Sequence, residues 1–397
     1  MQVYCLNTLA ELVRYAEDWD RLSSGVPFRS WTWLSTWWRH YGPARPADRA
    51  PQLAVPCVFD DRERLVGLGP WYLGRSAAGG RVLRMLGSGE VCSDYLSILA
   101  QPGMETIVAD ALVEFLMARP AAQGGDAPQW DLLELDGVDA EDRGVASLAE
   151  HFAQQGAIVH RRPGLNCWRL MLPTTWDGYY ELFSKNRAKQ LRRLERIYLE
   201  SGRAVLRMVE HADELPAAMD LFISMHQRRR QSLGEPGSFA SPRFTAFFRE
   251  VLPPLFRSGH VQFYGLEVDG RPAASEYLLT GDGALYAYQA AIEPDARKHE
   301  PGKLINLAMM RRAVAQGYRA FDFLRGDEPY KANLRAQPRP STRWRIVPNR
   351  AAARWRHSLW LAGRSLKHLF RRNPATAQAL ALRDAQPPSA AEPAASK

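Results

Sequence analysis

The stretch Phe321-Asp322-Phe323-Leu324-Arg325-Gly326-Asp327-Glu328-Pro329-Tyr330-Lys331 decides how the rest of the chain is read. Residues 321–324 have the apolar density of a short buried strand, and Gly326 lets the backbone turn sharply. Arg325, Asp327, Glu328, Tyr330 and Lys331 then leave the strand end close together, with Asn333 just beyond. A buried strand that ends in mixed charge is a favoured place for a site in an α/β sheet, because ligands bind beyond strand ends. A salt-bridged turn is the plainer reading of the same residues.

Upstream lie three strands with no helix between them, predicted at 260–268, 272–280 and 284–291, with Asp269-Gly270 and Gly281-Asp282-Gly283 as hairpin turns. Glu276 interrupts the apolar run Ala273-Ala274-Ser275-Glu276-Tyr277-Leu278-Leu279. A carboxylate inside a central strand is costly unless it is paired or used, and both explanations stay open here. After the third strand, Pro301-Gly302-Lys303 opens a helix predicted over 304–316. Proline in the first turn, a glycine and a cation make a helix start suited to a pyrophosphate.

A long helix is expected over 176–201. Lys185, Lys189, Arg192, Arg193 and Arg196 share one face of it, and Leu191, Leu194 and Tyr198 share another. Arg187 falls on the apolar side, where a cation needs a partner or a ligand. A second helix, 213–233, carries His226-Gln227-Arg228-Arg229, in which His226 is either a base or a polar anchor.

In the first half, the spacing puts Trp31, Leu34, Trp38 and Tyr41 on one helical face as a core stripe. Gly87-Ser88-Gly89-Glu90-Val91-Cys92-Ser93-Asp94-Tyr95 lacks the Gly-Lys-Ser/Thr of a phosphate loop, and turn geometry accounts for its glycines. Near the other end, 350–372 forms an amphipathic basic helix with Trp355, Leu359, Ala362, Leu366 and Leu369 on its apolar stripe. It suits either docking on the body, the expectation adopted here, or contact with an anionic membrane surface. Residues 373–397, rich in Ala and Pro, are expected to be a disordered tail.

Bulk properties limit the class. A chain of 397 residues is long for one core, so two domains are expected. Cys5, Cys57, Cys92 and Cys167 are scattered, which argues against a zinc ribbon or a disulfide framework, and no metal is expected. The acidic first residues lack a signal peptide's basic start, and no run of about 18 apolar residues exists to span a membrane. The expected location is the cytoplasm. A net charge of +9 suggests an anionic partner: phosphates, a nucleotide, tRNA or an acidic membrane.

The predicted order of elements in the second half matches the GNAT acyltransferase fold. The segments His226-Gln227-Arg228-Arg229, Gly234-Glu235-Pro236-Gly237-Ser238-Phe239, Pro301-Gly302-Lys303-Leu304 and the opening stretch together resemble the CelD-like acetyltransferases. That GNAT branch is associated with cellulose and exopolysaccharide biosynthesis and is related to Fem-type aminoacyltransferases. Trp37-Trp38, Ser93-Asp94-Tyr95 and Asn186-Arg187 also look like it. The resemblance implies an α/β (α+β) protein with tandem GNAT-like domains at 1–165 and 166–348, each a mixed, mostly antiparallel sheet flanked by helices. It implies acetyl-CoA or another acyl-CoA as donor at Pro301, Gly302, Lys303 and Leu304, and an acceptor held by Asp94, Tyr95, Asn186, Arg187, His226, Arg229 and Arg325. Glu276 or Asp327 would be the base, Tyr330 the acid, and Lys331 or Arg325 the oxyanion stabiliser. Two departures stand out: 297–304 offers only Gly302 where the GNAT donor loop has two small residues, and Arg230 replaces a common tryptophan.

The expected activity is N- or O-acyl transfer to an amine or hydroxyl on a sugar or polysaccharide precursor. Two rivals stay open: Fem-like transfer from aminoacyl-tRNA, and a non-catalytic scaffold in an exopolysaccharide-synthesis complex.

Overall fold

The computed structural model describes residues 1–42, 50–118 and 127–371, so the expected tail at 373–397 lies outside the described residues. The chain is a mixed α/β protein with sheets flanked by helices. A seven-stranded sheet runs in the order Ala204–Met208, Val261–Val268, Arg271–Gly281, Ala284–Ile292, Ala320–Arg325, Cys167–Met171, Gln337–Arg339. The Asp269-Gly270 and Asp282-Gly283 turns place both residues at positive φ, the backbone that two-residue hairpins require. The helix Pro301–Ala315 covers one face, burying Leu304, Ile305, Leu307 and Met310 against Ala274, Leu278, Leu285 and Phe321. Helices Leu215–Gln231 and Pro242–Arg257 cover the other face, where Phe222, Phe248, Phe263 and Tyr277 interlock edge-on and stacked. Each such side chain contributes about 1.5–3 kcal/mol by leaving water.

One pairing in this sheet differs from the rest. Ala284–Ile292 and Ala320–Arg325 run parallel and are in register only through Ala284↔Ala320, Leu285↔Phe321 and Tyr286↔Asp322. Two residues later a bulge inserts Tyr288 opposite the Tyr277/Leu278 step of the neighbouring strand. Bulges bend a strand and increase its twist, and here the two parallel strands part company.

A six-stranded sheet in the first half has the order Gln52–Leu53, Trp71–Ser76, Gly80–Met85, Leu132–Asp139, Ser341–Val347, Ile158–Pro163. Ser341–Val347 comes from far along the chain, yet pairs antiparallel with both of its neighbours here. A smaller sheet of four strands, containing Gln2–Leu6 and Val55–Phe59, completes this half.

Three local expectations are corrected. The helix expected over 176–201 is broken into Trp176–Glu181 and Lys185–Glu195, because Ser184 caps the second piece by accepting from Arg187 N. The helix Trp31–Tyr41 buries Trp33, Leu34 and Trp37, while Trp31, Trp38 and Tyr41 are only half-buried. Its inner face meets Phe247 of Pro242–Arg257 and Tyr288 of the second sheet, so a partner from the other half chooses which tryptophans go inside. The terminal helix Ala351–Arg371 docks through Ala353 and His357, whereas Trp355 and Leu359 of the expected stripe are 65% and 53% exposed. The reason is the sheet surface beneath it, where Val82, Leu132 and Val347 receive Ala353 while His160, Arg162 and Arg345 receive His357 and Trp360.

The opening stretch joins the two halves. Arg325 donates from Nε to Asp94 Oδ1 at 2.5 Å and from its amide to Asp94 Oδ2 at 3.2 Å, and its terminal nitrogen reaches Ser93 O at 2.7 Å. Tyr95 Oη and Arg169 Nε both donate to Asp322 Oδ2, at 2.6 and 2.7 Å. Asp94 is 2% exposed and Asp322 0%, so each carboxylate depends on its guanidinium. Leu324 sits at φ 56°, a strained angle for a bulky residue. Its amide is held by Asp322 Oδ1 at 2.8 Å, and Lys331 Nζ donates to the carbonyls of Leu324, Arg325 and Gly326.

Replacing Arg325 by Met leaves Asp94 buried without a counter-charge. We expect a loss of about 3–5 kcal/mol in urea unfolding, partly restored by Arg325→Met with Asp94→Leu. A single variant within about 1 kcal/mol of wild type would show that this pair does not hold the halves together.

Candidate active site

Where the two parallel strands diverge, a cavity of about 470 Å³ opens. Its wall is built from five elements, one of them the helix Lys185–Glu195 through Arg187. Ala290, Ala291 and Ile292 come from the end of Ala284–Ile292, and Gly302, Lys303 and Asn306 from the first turns of Pro301–Ala315. Glu276 reaches in from the central strand, and Tyr330 from the short helix Pro329–Asn333.

Strand alternation explains why Glu276 points here. Ala274, Glu276 and Leu278 share the face covered by Pro301–Ala315, and Glu276 lies in register between Tyr264 and Ala290. The side chain is 3% exposed, and its Oε2 has no hydrogen-bond partner. Burial alone pushes its pKa up to about 8. Tyr330 is 47% exposed overall, but burial about its hydroxyl, followed by the charges of Glu276 and Glu328, raises its pKa.

Asn306 was not singled out in the sequence, although it is the one polar residue in the buried run 304–310. That is the signal that marked Glu276: a polar side chain where the pattern demands an apolar one. Asn306 Nδ2 donates to Gly302 O at 2.7 Å, which fixes the amide's orientation and leaves buried Oδ1 unpartnered toward the cavity. Gly302 allows the close approach of helix and strand, since a Cβ there would stand 2.8 Å from Ile292 Cδ1.

The helix start is less generous to an anion than expected. The amides of Lys303 and Leu304 donate back to Glu300 O at 2.9 and 3.1 Å, and Lys303 pairs with the Glu300 carboxylate. Positive charge comes instead from the side. Arg187 lines the cavity, and with Lys303 it also lines an adjoining groove of about 410 Å³ that includes Arg193 on the helix Lys185–Glu195.

Of the residues expected at the site, Glu276, Tyr330, Gly302, Lys303 and Arg187 share this cavity. The others do not. Lys331 is 2% exposed, and three carbonyls and Glu328 saturate its ammonium, so it braces the turn and cannot reach an oxyanion. Asp94, Tyr95 and Arg325 are consumed by the buried junction between the halves. Asp327 lies off the cavity, exposed, accepting from Asn166 and Trp168 at 2.9 and 3.0 Å. His226 is 3% exposed against Phe222 and Phe239. Pro301 and Leu304 are buried beside the cavity wall, Asn186 is exposed, and Arg229 is half-buried away from it.

Residues 185–332 match the family described as acetyltransferase (GNAT) domain. All the cavity residues named above fall within that span. Comparison with curated proteins gives no match. Among solved structures, FemX is similar over 88% of this chain and 98% of its own, at 10% identity and TM-score 0.59. A conserved protein of unknown function from Bacteroides thetaiotaomicron aligns over 87% of this chain and all of its own (100%), at 11% identity and TM-score 0.53. The C-terminal domain of a putative lysylphosphatidylglycerol synthetase from Agrobacterium fabrum aligns over 87% and 94%, at 14% identity and TM-score 0.52. At these identities the likeness is one of fold. Together with the family match, it means that residues 185–332 carry an acetyltransferase (GNAT) domain, an acyltransferase module.

Proposed function

We propose that the cavity transfers an acyl group from a coenzyme A thioester to an amine or hydroxyl of a saccharide acceptor, with Glu276 as base and Tyr330 as acid. The observation that carries this reading is Glu276 Oε2, buried without a partner in the same cavity as the start of Pro301–Ala315. Glu276 takes the proton from the attacking nitrogen or oxygen as that atom bonds to the thioester carbonyl. The carbon–sulfur bond then breaks, and Tyr330, kept protonated by its raised pKa, returns a proton to the leaving thiolate. Lys303 and Arg187 are the cations available to the donor's phosphates. The saccharide class rests on the resemblance of the 226–239, 301–304 and 321–331 segments to CelD-like proteins.

The basic groove beside the cavity supports a second reading, in which an aminoacyl-tRNA is the donor. The outward stripe of Trp355 and Leu359 on a basic helix likewise supports peripheral contact with an anionic membrane. Among the described residues no helix is long and apolar enough to cross a membrane.

Thiol release from acetyl-CoA with saccharide amines as acceptors should rise about tenfold per pH unit and level off near pH 8, because only ionised Glu276 accepts a proton. Glu276→Gln should lower kcat by roughly 10²–10⁴ and abolish that limb, whereas an unchanged profile would remove Glu276 as the base. The same variant changes stability. The native state holds the Glu276 proton more tightly than the unfolded chain, so stability falls as pH rises from about 4.5 to about 8, by roughly 4–5 kcal/mol. Glu276→Gln should flatten that slope in thermal melts, and a parallel slope would contradict the burial argument.

The donor is decided by binding. Calorimetry should detect acetyl-CoA, with affinity reduced in Lys303→Ala. Silence with acetyl-CoA, together with tRNA binding that weakens steeply with salt, would favour the second reading. Co-sedimentation with phosphatidylglycerol vesicles should fall in Trp355→Ser/Leu359→Ser, and equal recovery of both proteins would rule out the membrane contact.

A further inference from the structure

A second cavity, of about 550 Å³, lies on the six-stranded sheet, outside the span matched by the acetyltransferase family. Its floor is an unusual sheet face. Directly paired residues form one row across five strands: Tyr72↔Arg84, Arg84↔Glu134, Glu134↔Arg345 and Arg345↔His160. The next pair beside that row is Arg343↔Arg162. On the same face the neighbouring row, Val82, Leu132, Val347 and Ile158, is apolar and lies against Ala353 of the terminal helix, so the polar row stands out beside it.

The charges do not balance. Glu134 accepts from both Arg84 and Arg345, at 2.8 and 2.7 Å, and Asp136 pairs with Arg343 at 3.0 Å. Arg162 has no acidic partner among the described residues, so four guanidiniums face two carboxylates. Arg345 is 13% exposed and its Nε has no partner. Arg343 is 54% exposed and Arg84 28%, so the cost of this excess falls on Arg345, which an anion would complete. The terminal helix adds a wall: Trp360 lies 4.1 Å from the Arg345 guanidinium and 4.9 Å from that of Arg162, and His357 meets His160 at 2.8 Å. Tyr72 adds further aromatic surface.

We propose that this cavity binds an anionic sugar, one that carries a carboxylate or a phosphate. The aromatic walls suit the apolar face of a sugar ring, Glu134 and Asp136 can accept from hydroxyls, and Arg162 with Arg345 supplies the missing counter-charge for the anion. The volume falls in the range of small-molecule sites. This assignment is independent of the acyl-transfer reading, because it uses neither Glu276 nor the cavity at Pro301–Ala315.

The test is calorimetry of the full chain with glucuronic acid and with glucose 1-phosphate, against glucose and inorganic phosphate as controls. We expect saturable binding of at least one anionic sugar, at least about tenfold tighter than either control, and which of the two binds tells carboxylate from phosphate. Arg162→Gln should weaken it at least about tenfold without moving the melting temperature, since Arg162 has no ion pair to lose. Trp360→Leu should weaken the sugar far more than any residual phosphate binding. No saturable heat from either sugar up to about 10 mM, in the folded protein, would overturn the proposal. So would inorganic phosphate binding as tightly as the sugars, which would leave an anion site only.

Discussion

Two carboxylates with almost no contact with water, Asp94 and Asp322, sit where the halves of this molecule meet. Each is buried against the guanidinium it meets, and each contact crosses from one half to the other or ties down the strand that makes the crossing. The backbone around them is forced into unfavourable angles, at Tyr95 and Cys92 on one side and at Leu324 on the other. Lys331 and Asp322 keep Leu324 there by occupying its carbonyl and its amide. The turn that follows is therefore rigid, and it carries Tyr330 to the mouth of the splayed strands. The charged cluster at the strand end acts on chemistry only through this bracing.

Much of the second sheet is legible in the sequence, because local rules decide it. The three consecutive strands declare themselves by alternation and by Asp-Gly turns, and proline-glycine marks the start of the next helix. Glu276 and Asn306 both violate an apolar pattern, and both line the cavity with unsatisfied oxygens. What escapes is any feature whose partner is distant in the chain. Asp94 and Arg325 are more than two hundred positions apart, so nothing local tells that Arg325 is already committed. Lys331 has the look of a catalytic lysine, but three main-chain carbonyls only five to seven residues upstream fold back onto it.

Periodicity has a related limit. It identifies the faces of a helix without naming the neighbour that each face will meet. Trp31–Tyr41 is packed on two sides, so the tryptophans that go deepest are those that meet Phe247 and Tyr288 from the other half. In Ala351–Arg371 the surface beneath is apolar only at Val82, Leu132 and Val347 and cationic beyond, so the helix turns Ala353, His357 and Trp360 inward and leaves Trp355 and Leu359 outside. The lesson is the same in both helices: the complementary surface, rather than the helix's own pattern, settles which side is inner.

The strand Ser341–Val347 has a consequence for biosynthesis. It sits between Leu132–Asp139 and Ile158–Pro163, so among the described residues Ile158–Pro163 has no other neighbour in its sheet. On the ribosome, the 177 residues between Pro163 and Ser341 must be made before the one pairing partner of Ile158–Pro163 among the described residues exists. The first half must wait, with an open edge, while the acetyltransferase domain is translated and folds, and a nascent chain stalled before position 341 is left with two unsealed strands. That long interval exposes an intermediate suited to chaperone capture, and makes the last strand the closing step of assembly.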